Sequence, residues 1–307
     1  MDGTRWIAVD WGTSKLRAWG IGDGGETTFA AVSDDGMARL SRDGFAPALL
    51  SLLAPKVAIE GPPLDVLICG MAGARQGWME APYLDVPAQL DGLAGHALRP
   101  PMPDSRLRPL ILPGACQRMP GAEDVMRGEE TQLLGLTALD KGFRGVVVMP
   151  GTHSKWAEVD DARLMRFATA MTGELFEVLR AHSVLRHSTG GVMAGPDHRA
   201  GFDEGLEGGL ARPGRLTSEL FKIRAGSLLS GKSAPWCSGY LSGLLIGSEI
   251  GGHRDWLGGG ATVPLVGGAA LCALYAAGFE RVGAATRIID AAEATLAGLK
   301  RARDALS

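Results

Sequence analysis

The sequence predicts an α/β protein made of two similar halves. Three observations carry this: short apolar strands recur along the chain, two of them run into Gly-Thr turns, and the elements after each turn come in the same order.

In the first half, Trp6–Val9 is a short apolar strand that leads into the turn Gly12-Thr13-Ser14. Leu16–Ile21 is the second strand, and Asp23-Gly24-Gly25 supplies a hairpin turn into a third at Thr27–Val32. A helix is predicted over Phe45–Leu53, with buried strands at Val66–Cys69 and Leu110–Leu112. The acidic, amphipathic stretch Glu129–Leu139 closes the half as a helix. The second half repeats the order: strand Val146–Met149, turn Gly151–Ser154, strand Lys155–Val159, turn Asp160-Asp161, strand Arg163–Thr169 and helix Thr172–His182. Later, Val263–Val266 reads as a buried strand and Gly268–Ala277 as an Ala-rich helix.

Composition narrows the function. A chain of 307 residues with 46% hydrophobic and 21% charged residues has the balance of a soluble globular protein. The net charge of -3 gives no basic field, so neither nucleic acid nor an anionic membrane surface is an expected partner. Cys69, Cys116, Cys237 and Cys272 contain no CxxC pair, and the six histidines have no ligand spacing, so no structural zinc is expected. Asp2, Arg5 and Asp10 flank a short apolar run at the N-terminus, which does not fit a signal peptide. Trp256–Phe279 carries no charge, but Pro264 and Gly267-Gly268 break it into a loop, a strand and a helix rather than a membrane span. A cytoplasmic location is expected.

The two turns suit phosphate. A Gly/Thr/Ser hairpin turn offers closely spaced backbone N–H groups and hydroxyl donors, a concavity that binds anions without a helix or a lysine. Gly12 lets a phosphate approach the backbone, because no Cβ intervenes. Asp10, at the end of the preceding strand, is placed to hold Mg2+ through water. Two such turns, one per half, could grip a triphosphate, and phosphoryl transfer chiefly requires positioning and charge neutralisation.

Here the resemblance becomes specific. Val9–Arg17 resembles the first phosphate motif of the sugar kinase/actin-like ATPase superfamily, and Pro150–Trp156 is similar to its hexokinase-like second motif. Leu265–Ala269 resembles the adenosine motif. Within the superfamily, Gly70–Gly73, Asp124–Gln132, Met149–Trp156, Thr172–Leu175 and Ser242–Gly247 together resemble the 2-dehydro-3-deoxygalactonokinase family across nearly the whole chain. The resemblance implies two ribonuclease H-like domains around an interdomain cleft. Residues 1–142 would form the substrate side with the first phosphate loop, and 143–307 the second loop and the adenosine site. It also implies that ATP phosphorylates the 6-hydroxyl of 2-dehydro-3-deoxy-D-galactonate, with Mg2+.

On that basis Gly12, Thr13, Ser14, Lys15 and Arg17 are expected at the nucleotide, together with Gly151, Thr152, His153, Ser154, Lys155, Gly267 and Gly268. A carboxylate must take the proton of the attacking hydroxyl, and Asp124, Glu129 and Glu130 are the candidates. Glu130-Thr131 matches the hexokinase-like pattern of an acid followed by Thr, which puts Glu130 first and Asp124 second; Glu129 and Glu130 also suit a helix N-terminus. The sugar acid's own carboxylate needs a cation, for which Arg75 and Arg127 are the candidates. Gly73 and Glu174 complete the expected substrate set.

One motif points elsewhere. Gly226–Ser233 satisfies the P-loop pattern GxxxxGK[ST], yet Leu220–Leu229 before it reads as a helix and Ala234–Gly239 after it shows little helical continuation. A working P-loop needs a strand before and a helix after. A non-catalytic sugar or nucleotide sensor on the same fold and an actin-like assembly protein remain as rival functions; retention of Asp10, both turns and the acidic pair argues against the sensor.

Overall fold

The computed structural model describes residues 3–56, 62–258, 260 and 262–306; Asp2, and Gly259 and Ala261 of the expected loop after Trp256, lie outside them. The elements are β1 (Trp6–Trp11), β2 (Leu16–Ile21), β3 (Thr27–Ser33), α1 (Phe45–Leu53), β4 (Leu64–Gly70), β5 (Tyr83–Asp85), β6 (Ala88–Gln89), β7 (Leu107–Ile111), β8 (Gly114–Gln117), β9 (Asp124–Met126) and α2 (Glu129–Leu139). There follow β10 (Arg144–Met149), β11 (Ser154–Asp160), β12 (Arg163–Ala170), α3 (Thr172–His182), α4 (Pro196–Ala211), α5 (Leu216–Leu229), α6 (Ala234–Gly252), β13 (Val263–Gly267), α7 (Ala269–Arg281), β14 (Thr286–Asp290) and α8 (Ala291–Asp304).

The chain forms two compact units: Met1–Arg144 with Glu158–Phe167 and Ala291–Ser307, and Gly145–Ala157 with Ala168–Asp290. In the first, the sheet order is β3-β2-β1-β4-β7. β1 is antiparallel to β2 and parallel to β4, and β4 is parallel to β7. This register sets Asp10 between Arg17 on β2 and Cys69 on β4. Burial on both faces explains the near-continuous apolar run of β1. Phe45, Leu49 and Leu53 make the buried stripe of α1 at four-residue spacing. Phe45 meets Trp11 and Trp78 in an aromatic cluster with ring centroids 4.9 and 6.4 Å from its own.

A six-stranded sheet, β14-β13-β10-β11-β12-β6, repeats the arrangement in its first five strands, with β13 parallel to β10 and β14; β5, β8 and β9 form a small third sheet. Numbering only these five strands of each sheet in chain order gives the same order, 5-4-1-2-3, with the fourth parallel to the first. This is the twice-repeated ribonuclease H-like arrangement that the family resemblance implies.

The units depart from a division at residue 142/143, because the outer ends of β11 and β12 and the whole of α8 group with the first unit. α8 does so through glycine contacts with α2. A Cβ on Gly135 would stand 1.8 Å from the Ala294 carbonyl oxygen, and one on Gly298 1.9 Å from that of Thr131. The segment after Ser233 also needs correction: Ala234–Gly252 is a 19-residue helix, with the Ser233 hydroxyl capping the N–H of Trp236. Its glycines conceal it from propensity, since they lower helix preference yet allow α4 and α6 to approach backbone to backbone. A Cβ on Gly205 would lie 2.2 Å from the Tyr240 carbonyl oxygen, and one on Gly243 2.0 Å from that of Phe202.

Candidate active site

The first turn joins β1 to β2 and is closed by the Gly12 N–H donating to the Lys15 carbonyl at 2.9 Å. The N–H groups of Met37 and Ala38 bind the carbonyls of Gly12 and Thr13, each at 3.0 Å. Trp11 anchors the turn, its indole N–H donating to the Asp35 carbonyl at 2.9 Å. Thr13 and Ser14 are exposed. Lys15 forms a close ion pair with Asp34. Arg17 Nη1 donates to Asp10 Oδ2 at 3.0 Å, and burial pushes the Asp10 carboxyl upward despite that partner.

Glycines bring Asp10's strand to the acidic pair. Gly70, at the end of β4, has φ +88°, and a Cβ there would sit 2.6 Å from the Trp11 carbonyl oxygen. Gly128, at the head of α2, has φ +108°, and its Cβ would come within 3.3 Å of Gly70 Cα. Three backbone segments thus meet where side chains would keep them apart.

Glu130 is 0% exposed. Its Oε2 accepts the Gly128 N–H at 2.7 Å and its Oε1 the Thr131 hydroxyl at 3.0 Å. Burial, then the neighbouring Glu129, pushes its pKa up to about 7, against the backbone N–H bonds and Arg127. Buried Cys69 is pushed well up by desolvation and by the charges of both Asp10 and Glu130, which marks all three as one cluster. Glu129 Oε2 accepts the Arg127 N–H at 3.1 Å. Asp124 lies half-buried on β9, with the Val125 N–H on its Oδ1 at 2.7 Å.

Arg127 sits over the Tyr83 ring, 4.3 Å from its centroid, and donates from Nη2 to the Ala81 carbonyl at 2.8 Å. Its buried Nε and Nη1 have no hydrogen-bond partner among the described residues. A Cβ on Gly73 would approach Nη1 to 2.8 Å, so Gly73 leaves this guanidinium its room. Arg75 is exposed, with its carbonyl held by Arg42 Nη2 at 2.9 Å.

In the second unit, α3 starts against the Gly151–Ser154 turn. The Glu174 N–H donates to the Thr152 carbonyl at 2.9 Å, and a Cβ on Gly173 would come within 2.4 Å of the Gly151 carbonyl oxygen. Thr152 and His153 are exposed, and His153 pairs closely with Glu174. Ser154 and Lys155 are buried instead. Lys155 Nζ reaches the His153 carbonyl at 3.3 Å, and Ser154 Oγ lies 2.8 Å from the Tyr275 hydroxyl. These two side chains therefore hold the turn from within rather than present themselves at its surface.

A cavity of 660 Å³ opens beside this turn, lined by Gly151, Thr152 and Gly173 and by apolar groups that include Phe176, Leu245 and Leu274. Gly267 packs under the turn, where its Cβ would stand 3.3 Å from the Pro150 carbonyl oxygen, and Gly268 caps α7. On α7 the cavity wall comes from Leu271, Leu274 and Tyr275, not from this glycine pair.

The sequence reading missed Glu249. Its Oε1 accepts the Trp156 indole N–H at 2.8 Å, and its Oε2 accepts the Tyr275 hydroxyl at 2.6 Å and the Thr172 hydroxyl in a shorter contact. The available signal was that Glu249 is the sole charged residue of Ala234–Gly252.

The P-loop pattern is not a P-loop, although a helix does follow it. α5 precedes it where a strand is required, and Lys232 Nζ lies 4.0 Å from the centroid of the Trp236 ring.

Comparison with known proteins agrees with this layout. Residues 10–302 match the family model described as 2-keto-3-deoxy-galactonokinase. The chain is 43% identical over 302 residues to the probable 2-dehydro-3-deoxygalactonokinase of Rhizobium meliloti (strain 1021), covering 98% of this chain and 97% of that one. It is 36% identical over 297 residues to the 2-dehydro-3-deoxygalactonokinase of Escherichia coli (strain K12), covering 96% of each. A crystal structure from Sinorhizobium meliloti, described as a candidate 2-dehydro-3-deoxygalactonokinase, superposes with a TM-score of 0.90 at 42% identity, over 98% of this chain and 99% of that one. The repeated sheets, the paired Gly-Thr turns and these whole-length matches establish that the chain belongs to the 2-keto-3-deoxy-galactonokinase family.

Proposed function

We propose that this protein, a sugar-acid kinase of galactonate catabolism, transfers the γ-phosphoryl group of ATP to the 6-hydroxyl of 2-dehydro-3-deoxy-D-galactonate. The observation that carries the reading is the equivalence of the two turns. Gly12–Ser14 and Gly151–Ser154 each join the first and second strands of sheets with the same strand order.

Each turn offers backbone N–H groups to phosphate oxygens, with the exposed Thr13, Ser14 and Thr152 as hydroxyl partners. The cavity beside Gly151 receives the base and ribose; its volume and apolar lining suit such a group. Arg127 binds the sugar acid's carboxylate through Nε and Nη1, which have no hydrogen-bond partner among the described residues. Glu130 accepts the proton of the attacking hydroxyl at a carboxylate oxygen. A value of about 7 suits that task, since the base must ionise near neutral pH yet remain basic enough to take the proton. Its full burial means that the side chain must turn out from the Gly128 N–H to work, and half-buried Asp124 is the alternative base.

Asp10 is suited to Mg2+: a single, incompletely neutralised carboxylate matches an ion that takes one or two carboxylates and completes its shell with phosphate and water. Bound there, the ion would neutralise charge on the transferring phosphoryl group. No helix among the described residues is long and apolar enough to cross a membrane, and a cytoplasmic site of action fits the pathway. The test is ADP formation from ATP and Mg2+ with a panel of 2-keto-3-deoxy sugar acids, together with the position of the phosphate in the product.

A further inference from the structure

A buried acid in the second unit has no part in the chemistry above, yet it joins several elements of that unit. Glu249 is 6% exposed and accepts three hydrogen bonds, from Trp156, Thr172 and Tyr275. Trp156 comes from β11, Thr172 opens α3 and Tyr275 lies on α7, so one carboxylate ties three elements to α6. Thr172 and Tyr275 both line the cavity beside Gly151.

The hydroxyl protons can be assigned by counting. Tyr275 has one proton, and it donates it to Glu249. Its oxygen can therefore only accept from Ser154, 2.8 Å away, so the Ser154 hydroxyl donates to Tyr275. Ser154 Oγ then keeps its lone pairs for the Gly151 N–H at 3.5 Å. With Glu249 ionised, and so an acceptor only, the chain Ser154 to Tyr275 to Glu249 has one direction. The Ser154 hydroxyl is spent inside the protein, which leaves backbone groups and Thr152 to face an anion.

We propose that Glu249 is a positioning residue for the nucleotide phosphates: through Tyr275, Ser154 and Thr172 it fixes the Gly151–Ser154 turn and the adjoining wall of the cavity. This rests on reading that turn as the second phosphate loop. Glu249 itself touches neither substrate.

The proposal makes nucleotide binding sensitive to Glu249 and leaves sugar-acid binding alone. Glu249→Gln keeps the volume but turns an amide NH2 toward at least one of the three donors. Tyr275→Phe removes the link to Ser154 and is the milder change should the first variant fail to fold. Binding of N-methylanthraniloyl-ADP, measured by fluorescence without sugar acid, is expected to weaken about tenfold or more in each folded variant. The KM for ATP should rise in step while the KM for the sugar acid stays near wild type. Unchanged affinity for the fluorescent nucleotide in folded Tyr275→Phe would overturn the proposal, as would an equal rise in both KM values. Gly151→Ala separates this from failure of the loop reading, because a Cβ at Gly151 meets nothing within 4 Å. Its expected loss of nucleotide affinity supports the loop; normal affinity in Gly151→Ala would refute the loop, and the role of Glu249 with it.

Discussion

The carboxylate of Glu130 accepts the N–H of Gly128 at 2.7 Å, which folds the side chain back over the first turn of its own helix. The same carboxylate is fully buried, acts together with Asp10 on the thiol of Cys69, and has its pKa pushed up to about 7. A group merely capping α2 would behave differently on mutation from one that also takes a proton.

Glu130→Gln should retain the local bonds, since its amide oxygen can accept from Gly128 and its NH2 can donate to the Thr131 hydroxyl. The expected result is a loss of kcat of about 10²–10⁴-fold with nucleotide affinity preserved. Single-turnover and binding measurements on one preparation check this. Turnover near wild type would transfer the role to Asp124, and Asp124→Asn would then carry the loss.

The raised pKa of Glu130 also links pH to stability and rate. Folding favours the protonated carboxyl, so its contribution is complete below the ordinary value of 4.5 and is lost as pH rises through about 7. Asp10 and Glu249 are shifted in the same direction, so the informative quantity is the difference between wild type and Glu130→Gln. Wild type should lose up to roughly 3 kcal/mol more than the variant between pH 5 and pH 8. The kcat of wild type should rise over the same range, as a general base requires ionisation. Parallel melting profiles for the two proteins would contradict the assignment.

Asp10→Asn keeps an acceptor for Arg17 and removes the charge expected to hold the metal. Turnover at saturating substrates should fall about tenfold or more, and the Mg2+ concentration giving half-maximal rate should rise. Nucleotide binding measured without Mg2+ should change little. A Mg2+ titration that superposes on the wild-type curve would remove Asp10 from the metal site.

The α4–α6 contact predicts opposite effects from two alanines on one helix. Gly205→Ala forces a Cβ against the Tyr240 carbonyl and should destabilise by about 1–3 kcal/mol. At Gly208 the nearest atom to an added Cβ is the Tyr240 hydroxyl oxygen, at 3.8 Å. Gly208→Ala should therefore stabilise by about 0.5–1 kcal/mol through helix propensity. Thermal midpoints of both variants against wild type check the sign of each change.

These glycines also show what was legible in the sequence. β2, α1, α2 and α3 have the predicted limits, because their apolar periodicity and turn residues agree with the packing they enter. α4 and α6 were not readable: glycine every fourth residue looks like a loop until a partner helix explains it. The first turn, the acidic pair and Arg127 can be named as candidates from the sequence because each belongs to a compact block of it. Glu249 and Tyr275 were not, since they lie 95 and 121 residues beyond Ser154 and meet it only through the fold. Local sequence likewise gave no sign that Ser154 and Lys155 turn inward, which depends on that distant network and on burial.

ATP consumption by this protein is expected to depend on a 2-keto-3-deoxy sugar acid. The most direct measurement is ADP release from ATP and Mg2+ with 2-dehydro-3-deoxy-D-galactonate and related acids. ADP release that requires this acid, with the phosphate found on its C6 oxygen, is the predicted result. A protein that binds nucleotide but forms no ADP above background with any acid of the panel would not be a sugar-acid kinase.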